Sequence, residues 1–215
     1  ALAGGSYATA ITVEPGRNDH TLDFGLTAAT VSVGNLVFCD LNNNGLFEPA
    51  GTDGIPGTTD DETGIDGVTV EACDPGPDGI IGGGDDTHGP SAVTAGGGLY
   101  TITGLTPGQW YLKILNPPVD KPLSSAPYFD QDDQTDNDDN GNQINGVGGT
   151  IHSPIITLTA GGEPGSGVDG SDTDTDSTID FGLVPAASIR GTVWLDNGGP
   201  LIGGLPGVEL TLCDA

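Results

Sequence analysis

The chain has 215 residues, with 31 acidic against 4 basic side chains and a formal net charge of −27 at pH 7. That balance excludes nucleic acid and anionic membrane as partners, since both are bound through clustered Lys and Arg, and no run of about 18 apolar residues is present for insertion into a bilayer. The 38 Gly and 16 Pro permit disorder by composition, but the 34% apolar content is concentrated in short β-branched runs between Gly/Pro/Asp stretches, the pattern of an all-β fold.

Along the chain the first recurring element is Thr21-Leu22-Asp23-Phe24-Gly25-Leu26, which returns as Thr178-Ile179-Asp180-Phe181-Gly182-Leu183 at an offset of 157. Val37-Phe38-Cys39-Asp40 is matched by Val193-Trp194-Leu195-Asp196 at an offset of 156, and Gly67-Val68 through Cys73-Asp74 by Gly207-Val208 through Cys213-Asp214 at 140. Internal repetition at this scale predicts tandem modules. Residues 1–29 read as the C-terminal part of one module, 30–184 as a complete one and 185–215 as the N-terminal part of the next. Within 30–184, alternation predicts strands at Ser32–Asp40, Val68–Cys73, Gly98–Ile102, Gln109–Leu115, Ile155–Thr159 and Ser177–Leu183. Pro107-Gly108 supplies the turn between the third and fourth, because Pro presets φ and Gly tolerates φ > 0. Trp110, Leu112 and Ile114 then share one face. Six or seven antiparallel strands with long polar loops predict a two-layer sandwich.

Four separated motifs occur in order: Gly34-Asn35-Leu36-Val37-Phe38-Cys39-Asp40-Leu41-Asn42-Asn43-Asn44-Gly45, Glu62-Thr63-Gly64-Ile65-Asp66-Gly67-Val68, Gly98-Leu99-Tyr100 with Leu105-Thr106-Pro107-Gly108-Gln109-Trp110, and Ile179-Asp180-Phe181-Gly182. In these residues the chain resembles the B-type domain of bacterial serine-aspartate-repeat surface adhesins, within the wider group of collagen-adhesin B-type sandwiches. The resemblance covers nearly all of 31–184. It implies an immunoglobulin-like sandwich, calcium-binding loops and a role as a repeated stalk or spacer on a cell surface. Some relatives carry an internal Lys–Asn crosslink; residues 31–41 hold no lysine, so none is expected here.

Three acidic stretches are candidate metal sites. Asp40-x-Asn42-x-Asn44-Gly45-x-x-Glu48 places oxygen ligands at positions 1, 3, 5 and 9 of a calcium loop, with Gly at 6 for the sharp turn and the Leu46 carbonyl at 7. Position 12 is Gly51 instead of the usual Glu; the resemblance implies that Glu62, preceded by Asp61, closes the site. Asp136-x-Asp138-x-Asn140-Gly141 repeats the same spacing, inside a run with six carboxylates in ten residues (130–139) that would repel strongly without a cation. Asp172, Asp174 and Asp176 alternate before the closing strand. The alternative in each case is a solvated polar turn. Asp53-Gly54-Ile55 through Asp60-Asp61 and Asp78-Gly79-Ile80 through Asp85-Asp86 form a further pair of similar loops, offset by 25, in which Asp61 could belong either to its own loop or to the first site.

Cys39 and Cys73 fall in the first two predicted strands as possible cross-strand neighbours, so a disulfide is one option; the other is that Cys39, replaced by Leu195 in the later copy, is a small buried apolar residue. Catalysis has little support: His20, His88 and His152 are far apart and no G-x-S-x-G or H-E-x-x-H motif occurs. The expected cofactor is calcium. The expected function is a structural repeat of an extracellular bacterial surface protein, a calcium-stiffened stalk or filament whose partners are adjacent modules or neighbouring subunits. The alternative is an adhesin module that binds carbohydrate or a protein through Trp110, Tyr111, Tyr128 and Phe129.

Overall fold

A computed structural model describes residues 29–126, 136–162 and 174–186. Among them there is no helix, and eleven strands form two sheets: β1 (Val31–Cys39), β2 (Thr63–Gly64), β3 (Thr69–Asp74), β4 (Thr87–Val93), β5 (Leu99–Leu105), β6 (Gly108–Ile114), β7 (Leu123–Ser124), β8 (Ile151–His152), β9 (Ile156–Leu158), β10 (Thr175–Asp176) and β11 (Phe181–Val184). The first sheet is organised around β1 in the order β10-β1-β11-β7, with β2 and β5 also paired to β1; the second runs β4-β3-β6-β8, with β9 also paired to β6.

Alternation explains why the sheets face each other. Val31, Val33 and Val37 of β1, Tyr100 and Ile102 of β5, and Phe181 and Leu183 of β11 meet Val70, Ala72, Leu112, Ile114, Ile151, Ile156 and Leu158 of the second sheet in one apolar core. Period-two spacing sends every other side chain of a strand to one face, so two such faces close a sandwich. The expected strands in 32–40, 68–73, 98–102, 109–115 and 155–159 therefore match β1, β3, β5, β6 and β9 to within a few residues.

Two features depart from the all-antiparallel expectation. β1 pairs in parallel with β10 (Ser32 with Thr175) and with β11 (Val37 with Phe181, Cys39 with Leu183). The closing segment, expected as one strand over 177–183, is split into β10 and β11 by a stretch in which Asp176 caps Thr178 through both its N–H (3.0 Å) and its hydroxyl (2.7 Å). Close approach of β1, β2 and the turn before β5 is possible only because Gly98 has no side chain. Its φ is +85°, and a Cβ there would lie 2.7 Å from the Gly64 Cα and the Ile65 nitrogen.

Cys39 and Cys73 are not cross-strand neighbours. Cys39 pairs with Thr63 and Leu183 in the first sheet, Cys73 with His88 and Tyr111 in the second, and both are buried free thiols. Alternation with Val70 and Ala72, which enter the core, turns Cys73 to the outer face of its sheet. The expected partial modules, 1–29 and 185–215, fall almost entirely outside the described residues.

Candidate metal centre

At the C-terminal end of β1 the chain must leave the sheet, and Asp40 organises the exit. Its carboxylate is fully buried; Oδ1 accepts the N–H groups of Asn43 (2.6 Å) and Asn44 (3.3 Å), and Oδ2 accepts that of Gly45 (2.8 Å). This tight loop requires left-handed backbone at Asn43 (φ 58°) and Gly45 (φ 76°), which Asn and Gly tolerate where other residues do not. Glu48 turns back over the loop and accepts the side-chain amides of Asn42 (2.6 Å) and Asn44 (2.9 Å). Glu62, buried just before β2, accepts the N–H of Leu41 (2.8 Å) and of Glu48 (2.9 Å). Asp40, Asn42, Asn44, Glu48 and Glu62 are therefore gathered around the exit of β1. Asp61 is not among them: its carboxylate accepts the Gly57 N–H and the Thr58 hydroxyl (3.1 Å) within its own loop.

The second acidic stretch docks on the first. Leu46 pairs with Asp138 as an isolated antiparallel bridge, the Phe47 N–H donates to the Asn137 carbonyl (2.9 Å) and the Asp139 N–H to the Gly45 carbonyl (2.8 Å). On its other side this strap joins the start of β11: the Asn140 N–H donates to the Asp180 carbonyl (2.9 Å) and the Asp180 N–H to Asn140 Oδ1 (2.8 Å). Asp136 lies at the rim, accepting from the Asn35 side-chain amide. Loops that are distant in sequence thus become one constellation.

Two carboxylates that sequence reasoning left out lie at its centre. Asp139 is fully buried; its Oδ1 accepts the N–H groups of Gly141 (2.9 Å) and Gly182 (2.8 Å), while its Oδ2 is buried without a hydrogen-bond partner. Asp180, also fully buried, accepts the N–H groups of Leu36 (2.9 Å) and Asn137 (2.8 Å). Burial pushes both carboxyls well above the ordinary carboxylate range; the backbone N–H bonds oppose this, and neighbouring negative charge adds to it, from Asp40 and Asp180 at Asp139 and from Asp136 and Asp138 at Asp180. Burial raises Glu62 as well, against its two N–H bonds and with Asp40 and Glu48 adding to the rise. Asp180 had a visible signal, because the Asp-Phe-Gly it opens is one of the repeated motifs. Asp139 had none within its acidic run.

A chain of mutually repelling groups therefore runs from Glu48 and Glu62 through Asp40 to Asp139, Asp180, Asp136 and Asp138. Neither lysine among the described residues offsets it, since Lys113 pairs with Glu71 (3.1 Å) and Lys121 with Asp120 (2.6 Å). The donors are oxygens only, carboxylates with amide and backbone carbonyls beside them, which is the chemistry of a hard dication of the calcium class. A cation at the buried Asp139 oxygen would relieve both its missing partner and the repulsion.

Only part of the third candidate set lies among the described residues. Asp172 lies outside the described residues; Asp174 is exposed and accepts the Gly161 N–H (2.6 Å), whereas Asp176 is buried with its carboxylate on Thr178. The paired loops fold alike, with Asp53 and Asp78 capping Ile55 (2.8 Å) and Ile80 (2.9 Å), and Asp61 and Asp86 accepting from Gly57 and Gly82. Of the aromatic residues offered for ligand binding, Trp110 packs against the core with its Nε1–H on the Thr106 carbonyl (2.9 Å), and Tyr111 is buried. Tyr128 and Phe129 lie outside the described residues. In comparisons with known proteins, no family model matches the chain, and neither does any curated protein.

Proposed function

We propose that the chain is a structural repeat of an extracellular bacterial surface protein, an immunoglobulin-like sandwich in tandem array whose acidic loops bind calcium and stiffen a stalk or filament. The observation that carries this reading is the buried, unpartnered Asp139 oxygen beside the carboxylates of Asp40 and Asp180. Burying several charges of one sign is costly unless a counter-charge joins them. Calcium supplies it, with Asp40, Asn42, Asn44, Glu48, Glu62, Asp136, Asp138, Asp139, Asn140 and Asp180 as the oxygen donors available. The four ordered motifs that resemble B-type adhesin domains support the same reading.

Mechanically, the cation ties three elements: the exit of β1, the 136–142 strap and the entry to β11. Because β11 is followed directly by the segment leading to residue 187, ordering its start also orders the approach to whatever comes next. The partners are adjacent modules or neighbouring subunits. Trp110 and Tyr111 belong to the body of the sandwich, so the adhesin alternative draws no support from them.

Small-angle X-ray scattering of the 215-residue chain in millimolar calcium and in excess chelator tests the stiffening. The expected result is a narrower, more extended distance distribution with calcium. Bound calcium with no change in that distribution would overturn the mechanical role.

A further inference from the structure

The outer face of the second sheet carries a polar cluster of different chemistry. Cys73 on β3 stands opposite His88 on the edge strand β4 and opposite Tyr111 on β6, while Glu71 stands opposite Lys113. A Glu71 carboxylate oxygen, the Cys73 sulfur and a His88 ring nitrogen all lie within 4.8 Å of one another. Lys113 reaches into this group: its ammonium is 3.1 Å from Glu71 Oε2 and 3.2 Å from His88 Nδ1. A cationic head therefore already sits against the oxygen and nitrogen donors of the group. Tyr111 is fixed in turn by donating to Asp86 Oδ2 (2.7 Å). Beside the group opens a concavity of 340 Å³, lined by Gly67, Thr69, Glu71, Ser91, Lys113 and Leu115.

We propose that Glu71, Cys73 and His88 bind a thiophilic divalent metal ion of the zinc class, with the fourth coordination position open toward this concavity. One thiolate, one imidazole and one carboxylate form a donor set that suits a tetrahedral zinc-class ion and that calcium, which takes oxygen ligands, does not select. Two metals would thus be sorted by chemistry on one module: calcium in the oxygen loops, the softer ion on the outer sheet face. Register makes the site. The β3–β4 pairing shifts between Glu71 and Cys73, and this irregularity brings His88 level with Cys73 while Ser91 faces Glu71. On binding, the Cys73 thiol gives up its proton to solvent, and the Lys113 ammonium swings out into the concavity, exchanging its place for the metal's double charge.

The test uses the full chain loaded with calcium, and cobalt(II) as the probe ion. The expected result is a thiolate-to-cobalt charge-transfer band that saturates at one equivalent and is reversed by zinc. Cys73→Ser abolishes it, and His88→Ala, an exposed position with little bearing on folding, weakens binding at least tenfold. Lys113→Ala binds as tightly as the parent or more tightly, since its ammonium no longer competes. Absence of the band, its survival in Cys73→Ser, unchanged affinity in His88→Ala or weaker binding in Lys113→Ala would each overturn the assignment. Circular dichroism and the calcium-dependent midpoint, expected to be the same in all variants, separate loss of the site from loss of the fold.

Discussion

Replacing Asp139 by Asn distinguishes a metal ligand from an ordinary loop cap. In the absence of calcium the wild-type carboxylate has one oxygen satisfied by the N–H groups of Gly141 and Gly182 and the other buried without a partner, next to Asp40 and Asp180. Asn keeps the satisfied oxygen and puts an amide donor where the orphaned acceptor stood, facing acidic neighbours. Relieving a buried unsatisfied group of this kind is worth about 1–3 kcal/mol. For a module of this size 1 kcal/mol moves the thermal midpoint by about 2–4 °C, so Asp139→Asn should melt roughly 2–12 °C above wild type in chelator. In calcium that advantage shrinks or is lost. Wild type gains about 2.7 kcal/mol at a hundredfold excess over Kd, and the variant loses most of that increment. Differential scanning calorimetry of both proteins in both conditions gives the four midpoints. A variant that is destabilised by the same amount with and without calcium would refute the reasoning, because Asp139 would then be only a cap for Gly141 and Gly182.

Stability should depend on pH with opposite sign in the two conditions. The folded-state carboxyls of Asp139, Asp180 and Glu62 are raised by burial, so in chelator their contribution is complete below the unfolded values of about 3.9–4.3 and is lost as pH rises through the folded ones; with calcium bound, the same groups must be ionised and the midpoint should instead rise from pH 4 to pH 7, as thermal melts across that range would show. Gly98→Ala should lower the midpoint in both conditions, by an amount equivalent to about 2–3 kcal/mol, since φ +85° and the 2.7 Å approach to Gly64 leave no room for a Cβ; a neutral result in urea unfolding would contradict the close packing. Tyr100→Phe removes the buried hydroxyl that donates to the Ile179 carbonyl (2.7 Å) and should cost about 1–3 kcal/mol, read by the same unfolding assay, without changing calcium affinity.

The residues made some elements easy to read and hid others. Alternation in Leu99-Tyr100-Thr101-Ile102 and Trp110-Tyr111-Leu112-Lys113-Ile114 carried β5 and β6, because a half-buried strand must repeat every second residue. The strand β4 escaped, since Gly89 and Pro90 interrupt Thr87–Val93 and most of its side chains are exposed. It is a strand all the same: it lies at a sheet edge, and Gly89 and Pro90 fall where the register shifts, so Pro's missing N–H breaks no ladder bond. Parallel pairing of β1 with β11 was equally hidden, because spacing within a strand says nothing about which neighbour it chooses. At the candidate metal centre the loop residues Asp40 to Glu48 follow from their own spacing, and Glu62 from the resemblance. Placing Asp139 and Asp180 required the fold, which brings residues 99 and 140 positions from Asp40 against β1 and its exit loop.

Calcium as an integral part of the fold is most directly tested by the thermal midpoint of the 215-residue chain in millimolar calcium and in excess chelator, with bound calcium counted on the same sample. The account predicts at least one tightly bound ion and a midpoint that falls by several degrees or more on chelation. No bound ion and an unchanged midpoint would contradict it, and would leave the carboxylates of Asp40, Glu62, Asp139 and Asp180 as protonated or backbone-capping groups in a sandwich that stands without metal.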